Sequence, residues 1–188
     1  MSLNSLRAVA VFFLLVGIGF AGRFLSDTPN FTPTVAVALF AGFYFKRAMV
    51  AAAVPVFAVA LSNIWLPHHS NLAVMITVYF ALSMPVLLGG LLRRSGKTRL
   101  GTAARIATAA LVPSFAFYVS TNLAVWWFDT IYAHTTAGLV SCYVHALPFY
   151  RAMLQGDLLF IPMIFGAYAA ARVVAMQRKD ATAATLAA

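Results

Sequence analysis

The chain has no glutamate, and its acidic complement is four aspartates set against 13 lysines and arginines. It has one cysteine, Cys142, which excludes an intrachain disulfide and a zinc site built from several thiolates. Charged residues make up only 9% of the sequence, where a soluble domain carries about 25%. No HExxH, GxSxG or phosphate-loop motif is present. No segment could form a nucleotide-hydrolysing domain, so uphill transport would draw on an ion gradient or on another polypeptide. The net charge of +9 does not indicate a nucleic-acid partner, because the basic residues lie between apolar runs and not in a stripe with stacking aromatics.

What is abundant is apolar side chain, at 63% of 188 residues. A protein of this size has too little interior to hide that much from water, which leaves lipid as the solvent. The reading is an all-α polytopic membrane protein that forms a single domain over residues 1–179. Its spans fall at about 8–24, 32–45, 48–66, 72–92, 106–127 and 152–175. The small and polar segment 180–188 (DATAATLAA) reads as a disordered cytoplasmic tail.

Orientation follows from the cations. With the N-terminus inside, 11 Lys and Arg fall on the inner side, and only Arg23 and Arg151 fall outside. That split obeys the positive-inside rule for six crossings with both termini cytoplasmic. A rival reading takes residues 1–22 as a cleaved signal peptide with Gly19-Phe20-Ala21 at its end. The length of the run and the consistent topology favour a span.

Two stretches break the pattern. The second span has an apolar core of only 34–45, about 18 Å of helix against a hydrocarbon layer of about 30 Å. It follows Asp27-Thr28-Pro29-Asn30-Phe31-Thr32-Pro33, in which Thr32 suits an N-cap and Pro33 a first helical position. The chain is therefore expected to enter as non-helical backbone and to begin its helix below the surface. There a helix N-terminus could hold an anionic group. A short helix beside thinned lipid is the plainer alternative. The second stretch is 128–151, semi-polar and too long for a structureless loop, which is expected to fold back as a short helical lid over the outer face.

Polar residues at membrane level supply the candidate site. Asn63 and Trp65 close the third span, while Asn122, Trp126 and Trp127 close the fifth, so these residues are expected to meet near the outer face. Each Trp also suits an ordinary interfacial belt. Asp157 is the one carboxylate that must enter the bilayer, where such a group has a function or a partner. Arg151 is badly phased on the helix, which leaves Arg23 or an outer-loop histidine as the expected partner. His68, His69, His134, His145 and Cys142 share the outer half without a repeated metal-ligand spacing, so neither a metal nor a cofactor is expected.

The stretches Asn30-Phe31-Thr32-Pro33 with AVALFAGFYF, SFAFYVSTNLAVWW, and GLVSCYVHALPFYRAMLQGDLLF together resemble a family of small bacterial membrane proteins labelled as transport proteins. That family is itself similar to the substrate-capturing S subunits of energy-coupling-factor vitamin transporters. The resemblance implies an S-component-like bundle in the bacterial inner membrane, with an outward-facing pocket under outer loops. It also implies that Asn30, Thr32, Asn122, Trp126, Tyr143, His145, Phe149 and Asp157 occupy the recurring motif positions. One departure is Phe12, which stands where S subunits carry the second alanine of a helix-docking motif for an energising transmembrane subunit.

The expected function is capture of a small, vitamin-like or heterocyclic solute from the outer side, with no enzyme activity. Asn30, Thr32, Asn63, Asn122, Trp126, Tyr143, His145 and Asp157 are the candidate binding residues. Two alternatives stay open: a non-catalytic accessory or assembly subunit of a larger membrane complex, and a membrane enzyme using Asp157 with His145.

Overall fold

The computed structural model describes residues 3–24, 27–67, 71–93 and 99–187. Within them the chain is helical, with no strand: α1 (Leu3–Gly22), α2 (Thr34–Tyr44), α3 (Ala48–Ser62), α4 (Leu72–Ser83), α5 (Pro85–Leu92), α6 (Arg99–Phe128) and α7 (Thr136–Ala187). α4 and α5 are one rod interrupted at Met84. Pro85 brings no N–H to the ladder, and the Met84 N–H reaches the carbonyls of both Phe80 and Ala81. Counted so, there are six helices. Four segments are long and apolar enough to cross a membrane: Ser5–Gly22, Leu72–Leu92, Thr108–Phe128 and Thr136–Arg178. α2 and α3, at 11 and 15 residues, are shorter.

α2 is the axle of the bundle. It touches each of the other six helices, and every residue from Thr34 to Gly42 is buried. A helix that is apolar all round belongs inside protein, so its short length needs no thinned lipid to accommodate it. Its tightest seam is with α5. A Cβ on Gly42 would overlap the Val86 carbonyl, and one on Gly89 would overlap the Leu39 carbonyl. The two backbones can therefore approach only because both positions are glycine. Ala38, four residues before Gly42, is fully buried as well, whereas Gly17 and Ala21 of α1 face outward. At the far end of α2, Phe40 packs its ring on Phe165 and Tyr168 of α7.

The remaining helices are pinned at their ends. Asn71 caps α4 by accepting from the Ala73 and Val74 amides, and its own amide donates to the Phe128 carbonyl. That bond brings the start of α4 to the end of α6. Thr135 caps α7 by accepting from the Gly138 amide. From that cap α7 runs back antiparallel along α6.

Two expectations are corrected here. Segment 128–151 is not a lid: after a turn at 129–135 it becomes the opening turns of α7, passing through Pro148 without a break. Within it, Tyr143 and Cys142 bond to carbonyls of α6 and His145 bonds to the Ser141 carbonyl of its own helix, so these polar groups are satisfied without a fold-back. At the other end, α7 continues over 180–187 as helix, where composition suggested an irregular tail.

The cations are asymmetric in space as well as in sequence. Lys46, Arg47 and Arg93 gather at the α2–α3 turn, where Arg93 donates to the Phe45 carbonyl. Arg172 follows Tyr168 towards the same end. Arg23 lies at the opposite end of α1.

Candidate functional site

α2 begins inside the bundle because the seven residues before it are not helical. Asn30 adopts a left-handed conformation (φ 65°), and its carbonyl accepts from the Thr32 amide at 3.0 Å. Asparagine tolerates that geometry better than most residues do. The turn delivers Phe31, Thr32 and Pro33 into the protein. Pro33 is fully buried against Gly22 of α1. The Thr32 backbone lies against Gly156 of α7, where a Cβ would come within 3.3 Å of its nitrogen and oxygen. Phe31 packs on Phe160 one helical turn further along. The Thr32 hydroxyl is shared with that of Thr34 at 3.0 Å. Irregular backbone at this depth is tolerable because protein surrounds it.

Asp157 sits beside that break, one residue past Gly156. It is 1% exposed and pairs with the fully buried Ser114 of α6, whose hydroxyl donates to Oδ2. Oδ1 is buried with no hydrogen-bond partner. Ser114 is at the midpoint of α6, about 21 Å along the helix from Phe128. The half-satisfied carboxylate and the amino end of α2 therefore occupy one level, deep between α2, α6 and α7. An acidic group near a helix N-terminus is favoured by the helix dipole. One open acceptor nevertheless remains, and leaving such a group unpaired costs about 1–3 kcal/mol.

Arg23 is not the partner of Asp157. Its Nη1 donates to the Val59 carbonyl, to Ser62 Oγ at 2.6 Å and to Asn63 Oδ1 at 2.9 Å. Asn63 passes the chain on to the Tyr79 hydroxyl at 3.2 Å. These bonds clamp the ends of α1 and α3 onto α4.

The other candidates fall into separate places. Asn122 turns its amide back to the Tyr118 carbonyl at 2.7 Å, and the Cys142 thiol donates to its main-chain oxygen. Tyr143 donates to the Val119 carbonyl and Tyr118 to the Tyr143 carbonyl, while Tyr118 stacks on Tyr150 at 4.7 Å. Together these form a polar seam between α6 and α7. Trp126 donates to the Ala133 carbonyl in the α6–α7 turn and touches His134. His145 is exposed, with Nδ1 donating to the Ser141 carbonyl.

Thr32 and Asp157 are thus brought together, with Asn30 in the turn that carries Thr32. Asn63 and Asn122 are not, since α3 and α6 make no contact among the described residues. Trp65 packs on Phe20 of α1, whereas Trp126 and Trp127 pack on each other. His145 and Asp157 lie 12 positions apart on one continuous helix, about 18 Å, which is too far for a direct acid–base pair. No three metal-ligating side chains converge among the described residues, and His68 and His69 lie outside them.

Sequence reasoning missed Ser114 and Gly156. Ser114 is the one aliphatic hydroxyl between Thr108 and Ser120, directly after Pro113 in an apolar helix. A lone serine at mid-span was a usable signal.

Residues 3–181 match a family described as a family of unknown function (DUF6580), and the chain belongs to that family. No curated protein and no solved structure matches it.

Proposed function

We propose that this member of the DUF6580 family is a membrane transport protein that captures a small solute at the broken start of α2. In this reading six helices cross the bacterial inner membrane with both termini cytoplasmic. Solute arrives from the side of the α6–α7 turn. The observation that carries the reading is Asp157, fully buried yet holding one open acceptor beside a helix N-terminus at mid-bundle. An ionisable side chain at membrane depth serves a pathway or a partner, and discontinuous helices at the midplane are where transporters bind solutes.

The chemistry points to a solute with an N–H donor, such as an amine or a protonated heterocycle. Asp157 Oδ1 would accept that hydrogen bond, Ser114 would hold the carboxyl in place, and the Thr32–Thr34 hydroxyl pair would face a polar substituent. A resemblance to S subunits points the same way and adds an energising transmembrane subunit as the expected partner.

One observation favours an accessory role instead. Beyond Tyr168, α7 leaves the bundle and its described side chains are exposed, as befits a helix that docks on another subunit.

Native mass spectrometry of the protein extracted from its host membrane separates the two. A recurrent small-molecule adduct that is lost in Asp157→Asn but retained in Asn122→Ala supports solute capture at α2. A clean apo mass with a tightly held protein partner would overturn it in favour of the accessory role.

A further inference from the structure

At the end of the bundle opposite the α6–α7 turn, a cavity of about 320 Å³ opens where α1 meets the α2–α3 turn. Its size is at the lower end of the range for small-ligand sites, about 300–1,000 Å³. The interior is apolar: Phe12 and Phe45 form its floor with ring centroids 6.3 Å apart, and Phe13 and Val50 form exposed walls. The rim is cationic. Lys46 and Arg47 both line the cavity, both are exposed, and neither pairs with an acidic side chain among the described residues. Arg93 is held close by through the Phe45 carbonyl. No acidic side chain meets this rim among the described residues: Asp27 and Asp129 lie in turns at the other end, Asp157 is buried at mid-bundle, and Asp180 is on the exposed part of α7, 12 positions past Tyr168, with no ion pair.

A ligand for this site needs two unlike parts, an anionic group for the rim and a hydrocarbon portion for the phenylalanine-lined interior. We infer that the site takes an anionic phospholipid, with its phosphate between Lys46 and Arg47 and the start of an acyl chain against Phe12, Phe13 and Phe45. A free phosphate would leave the apolar interior unfilled, and a zwitterionic lipid would waste the unpaired charge. Basic pockets beside membrane helices bind anionic headgroups on this principle, at the leaflet where such lipids and the basic loops coincide. The inference rests on the bundle lying in a bilayer and does not depend on the solute reading at Asp157.

The test is lipid retention by the full chain in detergent, titrated with phosphatidylglycerol or phosphatidylcholine and read by native mass spectrometry. The wild type is expected to hold one phosphatidylglycerol in preference to phosphatidylcholine. Lys46→Ala with Arg47→Ala is expected to weaken that binding about thirtyfold, the effect of two cations at a membrane surface, and to abolish the preference. Val50→Trp, which fills the cavity and leaves the charges, is expected to reduce retention of both lipids. Circular dichroism checks that each variant is folded. Any solute adduct is expected to survive in the double variant, so failure at one site is distinguishable from failure at the other. Equal retention of both lipids by the wild type, unchanged retention in the folded double variant, or full competition by inorganic phosphate would each overturn the assignment.

Discussion

α2 and α7 are opposite extremes of the same bundle. α2 has 11 residues, about 16 Å, and is enclosed on every side. α7 has 52 residues, about 78 Å, and presents most of its surface outward. Both contain long apolar runs, α2 without a charged side chain and α7 with six, and composition alone does not set where each can end. What separates them is the neighbourhood. α2 can stop halfway because its ends meet protein: Gly22, Pro33 and Gly156 at one end, and Arg93 on the Phe45 carbonyl at the other. A lipid-facing helix has no such partners and must run the full width of the hydrocarbon before its end groups reach water. The polar residues obey the same distinction. The buried, half-paired carboxylate stands where α7 meets the start of α2, while on the exposed stretches of α7 His145 and Thr182 bond to carbonyls of their own helix.

The sharpest way to break this comparison is to push α2 away from α5. Gly89→Leu forces a side chain into the Leu39 carbonyl and is expected to destabilise the protein by about 3 kcal/mol or more, read as a lowered Tm in detergent. Gly166→Leu on α7 meets open space. It is expected to be neutral or slightly stabilising, because glycine within a helix costs up to about 1 kcal/mol against alanine. Equal losses at the two sites would refute the close α2–α5 seam.

Next in size is the polar contact at the start of α2. Ser114→Ala removes the one hydrogen bond that Asp157 makes and is expected to cost about 2 kcal/mol. Ser120→Ala, six residues further along α6, only loses bonds to its own helix carbonyls and is expected to cost almost nothing. Smaller again is Arg23→Met, expected at about 1.5 kcal/mol, since it loosens the clamp on Ser62, Asn63 and the Val59 carbonyl without opening the core. Thermal melts of the three variants under one detergent condition check the order.

Much of the region around α2 was legible in the sequence, and little of α7 was. Pro29, Asn30 and Pro33 carry strong local chemistry, two fixed φ angles and a turn residue before a short apolar run, although the expected cap is displaced by one: Pro33 holds the N-cap position with no side-chain bond, and the Thr32 hydroxyl pairs with Thr34. Local signals of that kind do not depend on what lies across the bundle. The partner of Asp157 was illegible for the converse reason. Ser114 lies 43 positions away, and nothing near either residue encodes which faces of α6 and α7 will meet. The error at 128–151 has a third cause. His134, Cys142, His145 and Arg151 make the segment look unlike a span, but helix formation depends on backbone propensity and an N-cap, and Thr135 supplies that cap. The polarity of this segment belongs to the α6–α7 seam and does not signal a fold-back. The candidate residues divided accordingly. Those near one helix break, Thr32 and Asp157, came together, while those chosen for sharing an outer level, Asn63 and Asn122, ended on helices that do not touch.

The smallest expected effect concerns the far end of α7. Removing residues 180–188 takes away helix whose preceding turns, from Ala169 onward, lie clear of the bundle. Stability is therefore expected to change by no more than about 0.5 kcal/mol. Any solute adduct should also persist, because Asp157 lies 11 positions before Tyr168, the last α7 ring packed on α2. The variant sharpens the comparison because it asks whether the exposed half of α7 is idle. If a protein partner that co-purifies with the full chain is lost on truncation while Tm holds, the extension is a docking arm. If Tm falls by several degrees in the isolated protein, the extension supports the fold, and the division between an enclosed α2 and a free-standing α7 end is wrong.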